Sequence, residues 1–455
     1  MGAAAGGPGF PPVSPSPHNG GMRTTALAVA ALLAAPAAAE EAPPKPSVER
    51  FTLGNGLRAT LRPLAGAKSA AVAVLYDFGE DADPEGKSGL AHLCEHLYFT
   101  AAAGGAKGRT VEEIVKAYPA GWNAQTGWNY TLFSTVAPAE RLDAELRDAA
   151  ARMGDLKPVQ GDLDREVPRI VDELENMYGR MPALAASNHG RVLLAPGRPG
   201  RKGGVPAEVR GIALADVAKA FSTRYRPRNA RLTVAGPFDA AALRKGVEAL
   251  FGGIPAGEAP AARPLPAPPP AKAPLEVLKV EVPPDASGTG AQACIGWRTP
   301  SWRDEGAAEF LVLAVRLMVQ NSRAEADPRM RPRVLWAPLD EPDHLFVQAG
   351  IGKDETPEAA VARLEAFVAA ILDRPDANAA MAKSVFGPML GTLPDQDALL
   401  AVNPYLAAFA PGRREQLGID GPALARALDA VTTGSLAKAR ARWFSGGVAV
   451  AVLPR

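Results

Sequence analysis

The sequence predicts an α+β protein of two similar halves, each a largely antiparallel sheet with helices packed on it, the halves facing each other as a clamshell. Three observations carry this expectation. Hairpin-type strand signals are mixed with helical periodicities, without the strict strand and helix alternation of a parallel sheet. A segment of proline and alanine, "IPAGEAPAARPLPAPPPAKAPLE" at 254–276, reads as an extended connector without a core of its own. A pattern of apolar strand, loop with an acidic Gly turn and apolar helix from Ala73 recurs from Ala293, at a constant offset of 220 residues.

The elements follow in order. "VERFTLGNGLRATLRPL" places Asn55-Gly56 as a hairpin turn between two strands. "SAAVAVLYDFG" is an apolar strand, followed by a loop with Asp, Pro and Gly and then a helix containing "SGLAHLCEHLYFT" at 88–100. "GWNYTLFSTVA" reads as a strand, and "RLDAELRDAAARMGDL" has apolar residues at helical spacing. "NARLTVAGPFD" is a strand ending in a Gly-Pro turn, and "AAALRKGVEALFGGI" is a helix stopped by Gly252-Gly253.

A chain of 455 residues exceeds one ordinary core. From Met22, Arg23 starts a short positive stretch, Ala26 to Ala35 is apolar, and Ala37 to Ala39 supplies small residues for cleavage. That is an export signal, too short to span a bilayer; residues 1–21 read as a disordered leader, or as upstream of a start at Met22. The expected domains are therefore a leader and signal peptide at 1–39, a first half at 40–253, the connector at 254–276 and a second half at 277–455. The mature chain is expected outside the cytoplasm, periplasmic or secreted, with no transmembrane segment. Cys94 and Cys294 are the only cysteines, which argues against a disulfide scaffold. Lys and Arg total 50 against 49 Asp and Glu, and no basic stretch is interleaved with aromatics, which excludes nucleic acid as an expected partner.

On a helix, residues i, i+3 and i+4 share one face. His92 and His96 can thus present two imidazoles to one ion, with Glu95 beside them as a general base. This H-x-x-E-H order is an inverted zincin motif. Core histidines are the bland alternative, but paired histidines with an adjoining glutamate favour one zinc ion per chain. A catalytic zinc keeps an open position and needs a third protein ligand; His189 and His344 are lone residues, so a carboxylate is expected. Cys94, at i+2 from His92, belongs to another face and reads as packed core. At the 220-residue offset the positions of His92, Glu95 and His96 fall on Val312, Val315 and Arg316, so the second half carries no metal there.

With its H-x-x-E-H motif and the segment "DREVPRIVDELENMYGR", the chain resembles the insulinase and pitrilysin family of metallopeptidases, which includes the mitochondrial processing peptidases. The resemblance implies Glu173, 77 residues beyond His96, as the third ligand, and Glu166 as a further catalytic-site group that orients the site or the substrate. Pro168 leaves the direction of Glu166 open. In "GWNAQTGWNYTLF" the resemblance implies Asn123 and Ala124 as backbone contacts for a peptide that adds as an edge strand. It also implies an arginine and a tyrosine from the second half. "RMRPRVLW" offers Arg329 and Trp336 at that spacing, without the accompanying glycines; a solvated arginine and a core tryptophan are the alternative. The implied activity is hydrolysis of peptides or unfolded polypeptides. Two readings stay beside it: a structural zinc-binding subunit without activity, and a subunit that works only in a homodimer or heterodimer with a homologous chain.

Overall fold

The computed structural model describes residues 48–118, 121–195, 203–260, 273–280, 290–320, 330–339, 341–374, 379–392, 400 and 403–455. The leader, the signal segment and Arg329 lie outside these residues.

The first half runs β1 (Glu49–Thr52), β2 (Arg58–Pro63), β3 (Ser69–Tyr76), α1 (Leu90–Thr100), β4 (Ala102–Ala103), α2 (Val111–Ala117), β5 (Trp122–Thr126) and β6 (Thr131–Pro138). It continues with α3 (Leu142–Asp155), β7 (Leu156–Lys157), α4 (Gln160–Arg180), α5 (Pro182–Leu194), α6 (Pro206–Arg210), α7 (Leu214–Thr223), β8 (Ala230–Gly236) and α8 (Ala240–Phe251). The second half comprises β9 (Glu276–Val280), β10 (Gln292–Arg298), α9 (Ala307–Gln320), β11 (Arg333–Ala337), β12 (Glu341–Gly350), α10 (Pro357–Leu372), α11 (Ala379–Leu390), α12 (Pro404–Leu417), α13 (Gly421–Asp429), α14 (Thr433–Trp443) and β13 (Val448–Pro454).

The first sheet has the order β1-β2-β8-β3-β6-β5 and the second β11-β12-β10-β13-β9. Read from β2 and from β9, the two orders are the same path: β2, β8, β3, β6, β5 against β9, β13, β10, β12, β11. The fold is thus α+β in two like halves, as the repeat predicts. Each sheet is mixed, because β2 pairs with β8 and β13 with β9 in parallel while the other neighbours are antiparallel. The offset of 220 holds in space: β3 and α1 correspond to β10 and α9, and Val312 and Val315 are buried apolar residues on α9.

Alternation along the strands gives each sheet two buried faces. Val72, Val74, Tyr76, Ala124 and Phe133 face α1 and join its Leu93, Leu97 and Phe99 in one core. Ala71, Ala73, Leu75, Tyr130 and Leu132 face the other way and pack with residues of the second half. The helix that covers this second face is α12. Reciprocally, α5 of the first half lies on β10 and β13, with Ala185, Ala186 and Leu194 against Cys294, Phe346, Val450 and Val452.

The α12 crossing carries charge into the interior. Arg413 is fully buried, 3.9 Å over the Tyr130 ring, with its Nε donating to the Leu339 carbonyl at 2.6 Å and Nη1 to Asn129 Oδ1 at 3.1 Å. Glu415 accepts from Arg231 Nε at 3.1 Å, and Arg231 also pairs with Asp77. A buried charge is tolerated when paired and hydrogen-bonded, so these contacts tie the two halves in one register. No helix among the described residues is long and apolar enough to cross a membrane.

Candidate metal centre

Helix α1 starts at a fixed point. Gly89 has φ +97°, and a Cβ there would come within 2.6 Å of Val209 Cγ2. The carboxylate of Asp83 accepts from the N–H of Gly89 at 2.7 Å and of Ala91 at 2.8 Å, satisfying donors that the first helical turn leaves open. Burial pushes the Asp83 carboxyl up to about 8, against those two bonds. Beyond this anchor, the 3.6-residue period brings His92, Glu95 and His96 to one side.

Each histidine is oriented through Nδ1. His92 Nδ1 is 3.0 Å from the Gly203 carbonyl, and His96 Nδ1 is 3.2 Å from Glu166 Oε2. An Nδ1–H donated in this way leaves Nε2 with its lone pair outward, the state a metal ligand needs. Gly203 has φ +81° and its own N–H donates to Glu80 Oε1 at 2.9 Å, so its carbonyl is held from both sides. Glu166 accepts further from Arg169 Nη1 at 2.9 Å and Arg165 Nε at 3.1 Å. Burial tends to raise the pKa of Glu166, but His96 and Arg169 outweigh it and hold the carboxyl below its ordinary value.

Glu173 comes from α4 and faces both imidazoles: its Oε2 lies 4.0 Å from His92 Nε2 and 3.7 Å from His96 Nε2. These three atoms lie within 4.8 Å of one another and form the single His, Cys, Asp or Glu cluster of metal-binding kind among the described residues. The separations are too long for hydrogen bonds. A tetrahedral ion with bonds of about 2.0–2.1 Å spaces its donors by about 3.3–3.5 Å, so contraction by roughly half an ångström brings Glu173 to ligand spacing from each imidazole. The donor set therefore fits zinc. Burial works against a charged His92, but Glu95 and Glu173 outweigh it and raise its pKa.

Helix α4 runs on through Pro168, an exposed residue that has no N–H to donate to the Asp164 carbonyl one turn before it. Glu166 and Glu173 consequently stay on one helix. Their seven-residue separation, about 10 Å of rise, puts the first behind His96 and the second in front of it.

Glu95 is outside the three-donor cluster. Its Oε2 accepts from Thr126 Oγ1 at 2.7 Å, and both side chains are buried. Thr126 ends β5, the edge of the first sheet. Gly127 N donates to the Tyr130 carbonyl and Val136 N to the Gly121 carbonyl. Antiparallel alternation then turns the backbone groups of Gly121, Asn123, Gln125 and Gly127 toward β6, and those of Trp122, Ala124 and Thr126 outward. Ala124 thus offers its main chain to the open edge. The side chain of Asn123 instead reaches across to the second half, its Nδ2 donating to Tyr405 Oη at 3.2 Å.

Trp336 lies elsewhere. Its indole is buried in the second core, 5.5 Å from Phe310, 5.8 Å from Phe386 and 6.2 Å from Trp302, so the structure does not bring it to the metal cluster. Cys94 is fully buried on the opposite side of α1. Asp83, Gly203, Thr126 and Tyr405 are site residues that sequence reasoning missed. The "GG" at 203–204 is the one local signal that could have pointed to a close backbone approach.

Comparison with known proteins agrees with this geometry. The family model described as insulinase (peptidase family M16) matches residues 60–153, and that described as the peptidase M16 inactive domain matches 211–324. The zinc protease PqqE of Helicobacter pylori is 28% identical over 201 residues, 42% of this chain and 44% of the relative, so the match spans less than half of that protein. Among solved structures, a protease from Helicobacter pylori has the same fold with TM-score 0.70 at 20% identity, covering 90% of this chain and all of that one. The first half of the periplasmic protease PqqL from Escherichia coli follows with TM-score 0.62 at 18% identity, covering 89% of this chain and 92% of that one. With the His-Glu-His helix, the facing glutamate and both family matches in one chain, this protein belongs to the insulinase, or M16, family of peptidases.

Proposed function

We propose that the chain is a zinc-dependent endopeptidase acting on peptides or unfolded polypeptides. The observation that carries this reading is the pairing of a three-donor cluster with a separate buried carboxylate on the helix that supplies both histidines. His92 Nε2, His96 Nε2 and Glu173 Oε2 would hold one zinc ion, and Glu166 and the Gly203 carbonyl fix the two imidazoles. Bound there, zinc supplies Lewis acidity toward a peptide carbonyl and lowers the pKa of a water molecule. Glu95, steadied by the Thr126 hydroxyl, takes the proton of the attacking water and delivers it to the leaving amine as the C–N bond breaks. The substrate main chain pairs with the outward groups of Trp122, Ala124 and Thr126, which sets the scissile bond at the mouth of the cluster.

The N-terminal signal pattern and the likeness to a periplasmic protease support a location outside the cytoplasm. A second reading has one observation in its favour. Trp336 is enclosed in the second core, which favours a homologous partner subunit as the source of the family's tyrosine.

The test is zinc content and cleavage of a quenched fluorescent peptide library by the purified chain from Glu40, with Glu95→Gln as control. One zinc per chain, with cleavage lost in a variant that still binds zinc, supports the self-sufficient enzyme. Zinc without cleavage by the parent sinks that reading and turns attention to the partner.

A further inference from the structure

Among the described residues, a side chain of the second half hydrogen-bonds the edge strand beside the metal centre. Tyr405 is the second residue of α12, whose start is fixed by Asn403 Oδ1 accepting from the Leu406 N–H at 3.0 Å and by Pro404 in the first turn. Its ring lies over Phe409 with centroids 5.9 Å apart and planes 13° apart, and Phe409 is part of the core that joins the halves. Its hydroxyl accepts from Asn123 Nδ2 at 3.2 Å. Tyr405 and Asn123 are both partly exposed, so this rigid aromatic is accessible from solvent.

The two faces of β5 point to different partners. Thr126 reaches Glu95 on α1, and Ala124 packs into the core beneath α1. Asn123, one residue out of phase, is on the opposite face and meets α12. A peptide strand added to β5 would run about 4.8 Å away, with neighbouring cross-strand Cβ atoms about 5 Å apart. Its side chains would alternate, one set toward the metal face and the other toward Asn123 and the ring held there.

We propose that Tyr405 forms the wall of a side-chain subsite beside β5 and selects the substrate residue on the face away from the metal, favouring an aromatic or long aliphatic side chain. This rests on the strand-addition reading above. A rigid aromatic surface costs little entropy to bind against and offers apolar area without an opposing charge. The selecting group belongs to the half opposite the metal cluster, so the second half contributes specificity to chemistry performed by the first.

The experiment compares the parent chain with Tyr405→Ala and Tyr405→Phe, using a position-scanned peptide library read by mass spectrometry of the products. Tyr405→Ala is expected to flatten the aromatic and aliphatic preference at one position about tenfold in kcat/KM, through KM, with zinc content unchanged. Tyr405→Phe keeps the wall and should keep the preference; it also separates subsite loss from a folding defect. The same peptides are titrated against the zinc-loaded Glu95→Gln chain, which reads binding without turnover. A parent that cleaves with the same profile as Tyr405→Ala overturns the subsite and leaves the peptidase reading intact. Binding that depends on Tyr405 in a chain that does not cleave upholds the subsite and removes the peptidase reading. Neither binding nor cleavage by the parent overturns both.

Discussion

Replacing Glu166 by glutamine separates charge from shape behind His96. The carboxylate accepts from His96 Nδ1 at 3.2 Å, from Arg169 at 2.9 Å and from Arg165 at 3.1 Å. A glutamine oxygen in the place of Oε2 still accepts from His96 and Arg169, while its amide nitrogen faces Arg165 as donor against donor. Arg165 is half exposed and can turn to water, so the steric and hydrogen-bond cost is small. What remains is the loss of negative charge behind the imidazole. Removing such a partner typically costs 10–100-fold in metal affinity, or about 1.4–2.7 kcal/mol. The His96 contact is longer than the 2.7–2.9 Å usual for charge-assisted bonds, which places the expected loss near the lower end, about tenfold. Zinc affinity is measured by competition with a chromogenic chelator, and the metal-free melting curve serves as control. An unchanged zinc affinity beside an unchanged melting curve would refute the assignment of Glu166 as the group that orients His96.

Three further outcomes follow from the same structure. Gly203→Ala places a Cβ 2.7 Å from Leu174 Cδ2 and 3.3 Å from His92 Nδ1 at φ +81°; a left-handed residue costs about 1–2 kcal/mol, and zinc affinity should drop with a lowered melting temperature. Thr126→Val preserves volume but removes the donor to Glu95; kcat should fall roughly tenfold with zinc content unchanged, and a fall in zinc content instead would show that Thr126 serves the metal. Burial tends to raise the Asp148 carboxyl, but Arg152 and Arg109 hold it below its ordinary 3.8, so its stabilisation is complete above that value and is lost as pH falls through the lower folded pKa. Asp148→Asn should accordingly melt lower than the parent at pH 7 and show a shallower loss of stability below about pH 4; parallel pH curves for parent and variant would exclude this role.

The parts of the site that the sequence made legible are those set by local period. His92, Glu95 and His96 lie within one turn and a quarter of helix, and helical spacing alone brings them together. Glu173 is legible only through resemblance, because a separation of 77 residues carries no period and depends on how α4 packs on α1. Gly203 and Tyr405 were missed for the same reason. One lies 111 residues from the imidazole it holds, and the other belongs to the opposite half. Asp83 and Glu80 read as an ordinary acidic loop, since an acidic residue in a turn looks alike whether it meets water or buried amides. The hairpins and the repeat were readable from alternation and offset; the parallel pairings of β2 with β8 and of β13 with β9 join distant segments and leave no local mark.

The reciprocal placement of α5 and α12 has a consequence for how such a chain can arise. Each sheet lends its partner the helix that closes it, so either half by itself would bare a face such as Ala71, Ala73, Leu75 and Leu132 to water. A single half-length ancestor would be stable only as a twofold pair with exchanged arms. Joining two copies end to end makes that pairing intramolecular and frees each copy to diverge. One copy then keeps the helix of His92, Glu95 and His96, while Val312 and Val315 on the other turn the same helix into plain scaffold.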